Sequence, residues 1–505
     1  MQPIILKGNN LSLATIHQVA YHHGPLHLQL DPACIKRIAF ARQFVLRLAQ
    51  GAEPVYGINT GIGSMAAQKI DLADLEQLQY NIVRSHCAGV GNYLSREQVR
   101  AIMLLRANCL AQGNSGVDPS IIDLILAFLH FEITPRIPEK GSVGASGDLA
   151  PLAALALALI GEGEVEFQGK IMPAQAAMEK CKLVPARLGP KDGLALINGT
   201  TAMTALGTDA LWFSDQIIEA ADIIGALTAD SLRASCVPFS AAVQQVKPHP
   251  GQQQAAAHLF TLLQGSSIME EHTYCNKVQD PYSIRCMPQV HGAARQALGH
   301  AKEVLLTEIN AVTDNPLVFP EENKVCTGGN FHGAAIALAY DYLAMGLTML
   351  GSISERRMEK LLDPTFSEQN LFLAHEPHLE SGLMVAHVTA AALVNENKIL
   401  AHPACTDSIS TSANIEDHVS MGMNAARKLL AIVDNTATIL AIELLGATTA
   451  LDGRPGKTSP ALTKIYQLVR QKVAPLAQDR SWQQDIAHVK TLVKEGHLGK
   501  ALLQD

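Results

Sequence analysis

The sequence is poor in aromatic side chains and in charge. Phe, Trp and Tyr make up 5% of it, and Asp, Glu, Lys and Arg together 17%. With apolar residues at 48%, so little charge excludes an intrinsically disordered chain. It also leaves less polar surface than a monomer usually shows, which points to buried subunit interfaces. No extended basic block occurs and the formal net charge is −8, so no nucleic-acid partner is expected. The longest apolar run, 149–160, is interrupted by Pro151 and is too short to span a bilayer, so no membrane partner is expected. The first residues lack a charged segment followed by an apolar one, so no signal peptide is expected. The nine cysteines include no CxxC pair, which favours reduced thiols and a cytoplasmic location. The 19 histidines include no HExxH and no zinc-spaced Cys/His block, so no metal is expected.

What is present is mostly helix signal. A length of 505 residues allows about three domains or one large helical body. Asp31-Pro32 supplies an N-cap and an N1 proline, and Gly51 closes that segment. Ser95-Arg96-Glu97-Gln98 is a capping box before a periodic stretch ending near Gly113. Asp118-Pro119 opens another helix, reaching about His130. Long proline-free patterns over 331–362, 383–401 and 417–451 exceed the usual globular helix and predict a bundle of side-by-side helices. Strand signals are sparse; Val165-Glu166-Phe167 and Ile171, across Gln168-Gly169, read as a small hairpin. The fold class is therefore mainly all-α: a long central helix bundle with a loop-rich N-terminal region containing a small β-hairpin. The soft divisions are 1–200 with most glycine-rich loops, 201–452 with the long helices, and 453–505 as a more polar helical tail. No linker separates them, so one continuous body is expected.

The densest glycine cluster, 141–148, permits three readings. It can be a phosphate cradle before a helix, although no lysine follows Gly147 as a P-loop requires. It can be an ordinary helix start with Ser146 or Asp148 as N-cap. It can also be reactive. In Ala145-Ser146-Gly147 the Gly147 nitrogen can attack the Ala145 carbonyl carbon, and loss of the Ser146 hydroxyl as water then leaves an exocyclic methylene. That would be an electrophile made from the chain alone.

The stretch GSVGASGDLAPL, 141–152, closely resembles the signature of the aromatic amino acid ammonia-lyases, in which Ala-Ser-Gly cyclises to the methylidene-imidazolone (MIO) group. Further blocks resemble the family in order: Tyr56-Gly57-Ile58-Asn59-Thr60-Gly61, Asn198-Gly199-Thr200, Gln279-Asp280-Pro281-Tyr282-Ser283-Ile284-Arg285-Cys286, Thr313-Asp314-Asn315-Pro316, Gly328-Gly329-Asn330-Phe331, and Ser412-Ala413-Asn414-Ile415-Glu416-Asp417-His418. Within the family the chain is most similar to the histidine-specific branch, on Ser85-His86 and Glu416. An imidazole wants hydrogen-bonding partners where a phenyl ring wants an apolar wall, and a carboxylate suits the imidazole N–H best.

The resemblance implies elimination of ammonia from L-histidine to give trans-urocanate, the first step of histidine degradation. It implies MIO formed from Ala145, Ser146 and Gly147, with no dissociable cofactor, and a homotetramer with shared active sites. Tyr56 is implied as the base for the β-hydrogen. Arg285 is implied as the clamp for the substrate carboxylate. Asn198 and Tyr282 would orient the amine and the MIO carbonyl, Gln279 would line the pocket, and Phe331 would pack against the prosthetic group. His86 and Glu416 would receive the imidazole. Ile415 stands where the histidine-specific branch usually has Gln, and Met287 and His291 are also unusual near Arg285. The alternatives are a tyrosine or other aromatic amino acid lyase or aminomutase of the same fold, or a non-catalytic helical scaffold. The fumarase-like lyases share long helices, but their GSxxMPxKxN signature is absent: Gly351-Ser352-Ile353-Ser354 runs into Glu355-Arg356.

Overall fold

The computed structural model describes residues 3–272 and 278–503. It is mainly α, with a few two- to four-residue strands. The capping signals act where the sequence places them. Asp31 accepts from Ala33 N at the start of Pro32–Gln50, and Gly51 follows its end. Ser95 and Gln98 close a reciprocal capping box on Arg96–Leu110, and Asp118 caps Pro119–Phe131. The hairpin forms as Glu164–Phe167 against Lys170–Pro173, with Gln168 and Gly169 both at positive φ, as a two-residue turn requires. Thr134–Pro135 adds a third short strand.

Three expectations change. The helix expected over 417–451 begins only at Gly422, in Gly422–Asp452. Ser412, Ala413, Asn414 and Met421 all have positive φ, and Met421 N is spent on the Val143 carbonyl, so the preceding stretch cannot be helical. Neither Ser146 nor Asp148 caps the helix after the glycine cluster. That helix, Ala150–Leu159, starts behind Leu149 with no side-chain cap. Asp148 instead takes Ala202 N at 2.5 Å and Met203 N at 3.0 Å, so it serves the start of Thr201–Ser231. Finally, Thr201–Ser231 and Met287–Glu308 are long helices with no terminal signal singled out in the sequence.

Contacts divide the chain into two compact units, each assembled from separated stretches rather than from consecutive regions. The first comprises Met1–Asp209, Glu303–Tyr340 and Pro403–Arg427; it holds the small sheets. The second comprises Ala210–Lys302, Asp341–His402 and Lys428–Asp505 and holds most of the long-helix residues. Ala334–Leu362 and Gly422–Asp452 are long and apolar enough to cross a membrane by length and composition, but 67% and 72% of their apolar windows are buried inside the protein.

The core of the second unit contains a charged network. Arg357 grips Glu443 through Nε at 2.6 Å and Nη2 at 2.8 Å, with both side chains fully buried. His291 Nδ1 donates to Asp222 at 2.7 Å, and Arg357 Nη1 donates to His291 Nε2 at 3.2 Å. Both ring nitrogens are thus used by the neutral imidazole. Burial holds His291 below the ordinary histidine pKa, outweighing the pull of Asp222, and the Arg357 charge acts in the same direction. The unfolded chain binds a proton near the ordinary value of about 6.5 and the folded chain does not, so this residue costs stability as pH falls below that value. His291→Gln keeps a donor for Asp222 and an acceptor for Arg357 but cannot titrate. Thermal unfolding followed by circular dichroism should show a smaller loss of Tm between about pH 7 and pH 5 for the variant than for the parent. Equal losses would remove His291 from the acid response.

Candidate active site

The glycine cluster is held by backbone contacts that tolerate no side chain. Gly147 forms a parallel bridge with Gly199: Gly199 N donates to Ser146 O at 3.3 Å, and Asp148 N donates to Gly199 O at 2.6 Å. Gly147 sits at φ 77, and a Cβ there would lie 2.1 Å from the Gly199 oxygen. On the other side, Met421 N donates to Val143 O at 2.9 Å, and Ser420 Oγ donates to Gly144 O at 3.2 Å. Ser146 is therefore carried between two backbone clamps. Its flanking groups stay unused: neither the Gly147 nitrogen nor the Ala145 carbonyl oxygen has a hydrogen bond to any described residue. Asp148 is fully buried behind the loop, and burial pushes its carboxyl up to about 7 against the opposing pull of the Ala202 and Met203 N–H groups.

Ser146 Oγ donates to Glu416 Oε1 at 3.0 Å. The other oxygen of Glu416 accepts from Thr411 Oγ1 at 2.8 Å and Ser412 Oγ at 2.6 Å. The left-handed turn 412–414 is what brings these hydroxyls back onto their own carboxylate. Ser146 and Glu416 line a cavity of about 420 Å³ together with Tyr56, Asn81, His86 and Asn198. His86 ends the helix Leu75–His86, and its Nδ1 lies 2.8 Å from the Ile82 carbonyl. A carbonyl only accepts, so Nδ1 carries the proton there and Nε2 is left to the cavity. Asn198 Nδ2 donates to the Asn315 carbonyl at 2.7 Å, which fixes the amide so that its buried Oδ1 has no protein partner. Tyr56 Oη accepts weakly from Gly63 N at 3.4 Å. Among the described residues, the lining contains no lysine and no arginine.

The structure thus brings five of the expected site residues together: Tyr56, His86, Ser146, Asn198 and Glu416, all in the first unit. Phe331 is half-buried in the same unit but outside this lining. Gln279, Tyr282 and Arg285 belong to the second unit. There Arg285 Nε donates to the Asp280 carbonyl at 2.8 Å and its guanidinium stacks on the Tyr282 ring at 4.7 Å. Tyr282 is 72% exposed. Among the described residues, no group of His, Cys, Asp and Glu is arranged to hold a metal ion. Ile415 is exposed and does not line the cavity, so its departure from Gln leaves the lining unchanged. Sequence reasoning missed Asn81, Thr411, Ser412 and Asn315. The hydroxyls and Asn315 lay in or beside blocks already singled out; for Asn81 the available signal was its place one helical turn before Ser85.

Comparison with known proteins places this long-helix α fold, with its Ala-Ser-Gly loop opening on a cavity of hydrogen-bonding side chains, among the carbon–nitrogen lyases. Residues 11–471 match the aromatic amino acid lyase family, and the chain belongs to it. It is 49% identical to histidine ammonia-lyase of Stigmatella aurantiaca over 98% of this chain and 97% of that one. The crystal structure of histidine ammonia-lyase from Trypanosoma cruzi superposes with a TM-score of 0.92 at 40% identity, over 99% of this chain and 95% of that one. Tyrosine aminomutase from Streptomyces globisporus also superposes with a TM-score of 0.92, at 35% identity over 99% of this chain and 98% of that one. The shared fold therefore does not by itself separate lyase from mutase.

Proposed function

We propose that this protein eliminates ammonia from L-histidine to give trans-urocanate. The observation that carries the reading is the pairing of Glu416 and His86 across one cavity that also holds Ser146. The near-half identity to histidine ammonia-lyase of Stigmatella aurantiaca supports it. The Glu416 carboxylate would receive the single N–H of a neutral substrate imidazole, with His86 lining the same cavity. Half-buried polar groups that a substrate would desolvate disfavour a ring that leaves them unpaired.

The chain's own residues fit the family's prosthetic group. Gly147 N and Ala145 O are unengaged, Gly147 adopts a conformation that favours glycine, and Glu416 accepts the Ser146 hydroxyl proton. Once formed from Ala145, Ser146 and Gly147, the methylidene-imidazolone would supply an electrophile that makes the substrate's amino group a better leaving group. Around it, Asn198 Oδ1 would accept from the α-amino group, and Tyr56 Oη would take the β-proton. His86 and Glu416 would hold the imidazole. Phe331 would pack against the prosthetic group. Gln279 and Tyr282 would line the same site, and Arg285 would clamp the carboxylate, since the cavity lining contains no cation of its own. We assign the last three to a neighbouring subunit of a homotetramer in the cytoplasm. Low charge and the exposed Tyr282 favour such an assembly.

Incubation with L-histidine should release urocanate, followed by its ultraviolet absorbance; production of a β-amino acid instead would favour a mutase. The intact mass should fall short of the sequence mass by two waters, localised to the peptide carrying Ser146. Ser146→Ala should restore at least one water and abolish most activity; an unmodified, fully active parent would refute self-modification. Glu416→Gln should lower kcat/KM for histidine by about tenfold or more while moving Tm little, the size expected for a lost charge-assisted hydrogen bond. Wild-type efficiency in that variant would defeat the selectivity argument. Co-expressed Ser146→Ala and Arg285→Ala chains, each nearly inactive alone, should recover a fraction of parental kcat in mixed oligomers. Mixed oligomers confirmed by two tags yet still inactive would mean that each chain builds its own pocket.

A further inference from the structure

The block Thr313-Asp314-Asn315-Pro316 has no part in the proposed chemistry, yet its backbone holds the cavity's amide. Asn198 Nδ2 donates to Asn315 O, and that bond commits the amide nitrogen and leaves the buried Oδ1 as the acceptor without a partner among the described residues. Asn315 is fixed in turn: its N donates to Asp314 Oδ1 at 2.7 Å, and its Oδ1 accepts from Gly328 N at 2.7 Å. The second oxygen of Asp314 takes Lys191 Nζ at 2.6 Å, and both of those side chains are fully buried. Lys191 is the residue before the helix Asp192–Ile197, at φ 70, and Asn198 is the residue after it. One short helix is thereby braced at both ends against one turn, Lys191 to Asp314 and Asn198 to Asn315.

A fully buried ion pair is a weak source of net stability, because desolvation offsets most of the attraction. What such a pair does well is fix geometry. We propose that Lys191 and Asp314 are a positioning pair for Asn198, setting the Asn315 carbonyl and through it the Oδ1 acceptor that takes the substrate's α-amino group. This rests on the ammonia-lyase reading. Neither residue lines the cavity, so both act through the amide. Ligands carrying an α-amine should feel the pair, and ligands without one should not.

The test is a double-mutant cycle on kcat/KM for L-histidine, using Lys191→Met/Asp314→Leu as an apolar replacement of the pair, Asn198→Ala, and the combination. The replacement should cost about tenfold or more in the parental background and less than about threefold once Asn198 is already Ala, the signature of coupled residues. Its inhibition constant for urocanate, which has no amine, should stay within about twofold, and the two-water mass deficit should persist. Equal losses in both backgrounds would overturn the proposal. So would a parallel weakening of urocanate binding or a vanished mass deficit, either of which would make the pair a general support. If the apolar replacement does not fold, Lys191→Arg, which keeps the charge but moves it, goes through the same cycle under the same criteria. A parental protein that makes no urocanate would overturn the ammonia-lyase reading and this inference with it; urocanate production with equal losses overturns the inference alone.

Discussion

The contact on which the site depends is the close approach of two glycine backbones, Gly147 and Gly199. A Cβ on Gly147 would lie 2.1 Å from the Gly199 oxygen, and a Cβ on Gly199 would lie 2.7 Å from Arg106 Nη1 and 2.8 Å from the Thr313 carbonyl. Both residues also have positive φ. The approach places Ser146 beside Asn198, because each is the immediate neighbour of one of the paired glycines. It also frees the groups that a self-modifying loop needs. The bridge uses Ser146 O, Asp148 N and both polar groups of Gly199, and it leaves Gly147 N alone. A regular helix start at this point would have directed Gly147 N into a cap. The backbone that only glycine adopts readily and the available nucleophile are two aspects of the same arrangement.

Much of the fold was legible because helix ends carry local chemistry. Asp31, Ser95 and Asp118 each bind a backbone N–H within three residues, so the signal and its consequence lie in the same short stretch. Thr201–Ser231 gave no such signal. Its start is served by Asp148, more than fifty residues earlier, and its residues are buried on nearly every side, which erases the polar–apolar period. The segment 417–421 misled for the opposite reason. It holds no proline or glycine to break a helix, but Ser420 and Met421 are drawn to the Gly144 and Val143 carbonyls. In both places a long-range contact decides what a local pattern cannot.

The site shows the same division. Tyr56, His86, Ser146, Asn198 and Glu416 converge on one cavity although they come from five separated stretches of chain. Their chemistry was readable from residue type within blocks; their orientations were not. That His86 commits Nδ1, and Asn198 its amide nitrogen, follows from two carbonyls, Ile82 O and Asn315 O, which no sequence pattern advertises. Thr411 and Ser412 were passed over for a related reason. A hydroxyl looks ordinary until a left-handed turn folds it onto a carboxylate.

The cavity is also one-sided in charge. Among its described lining residues it offers the Glu416 carboxylate and the imidazole of His86, and no permanent cation. An α-amino acid brings an ammonium group and a carboxylate. The first suits these acceptors and the second does not, because a desolvated carboxylate needs a paired cation or several strong donors. For an amino acid to be held by both ends, its carboxylate must be met by a group outside this lining. Arg285 has the right chemistry: its guanidinium is anchored through Nε to Asp280 O and braced on the Tyr282 ring, which leaves its terminal nitrogens for a bidentate contact. Among the described residues, a cavity without a cation and an anchored guanidinium without a carboxylate are complementary deficits. That complementarity is the physical reason to expect substrate to be bound only where the two are brought together.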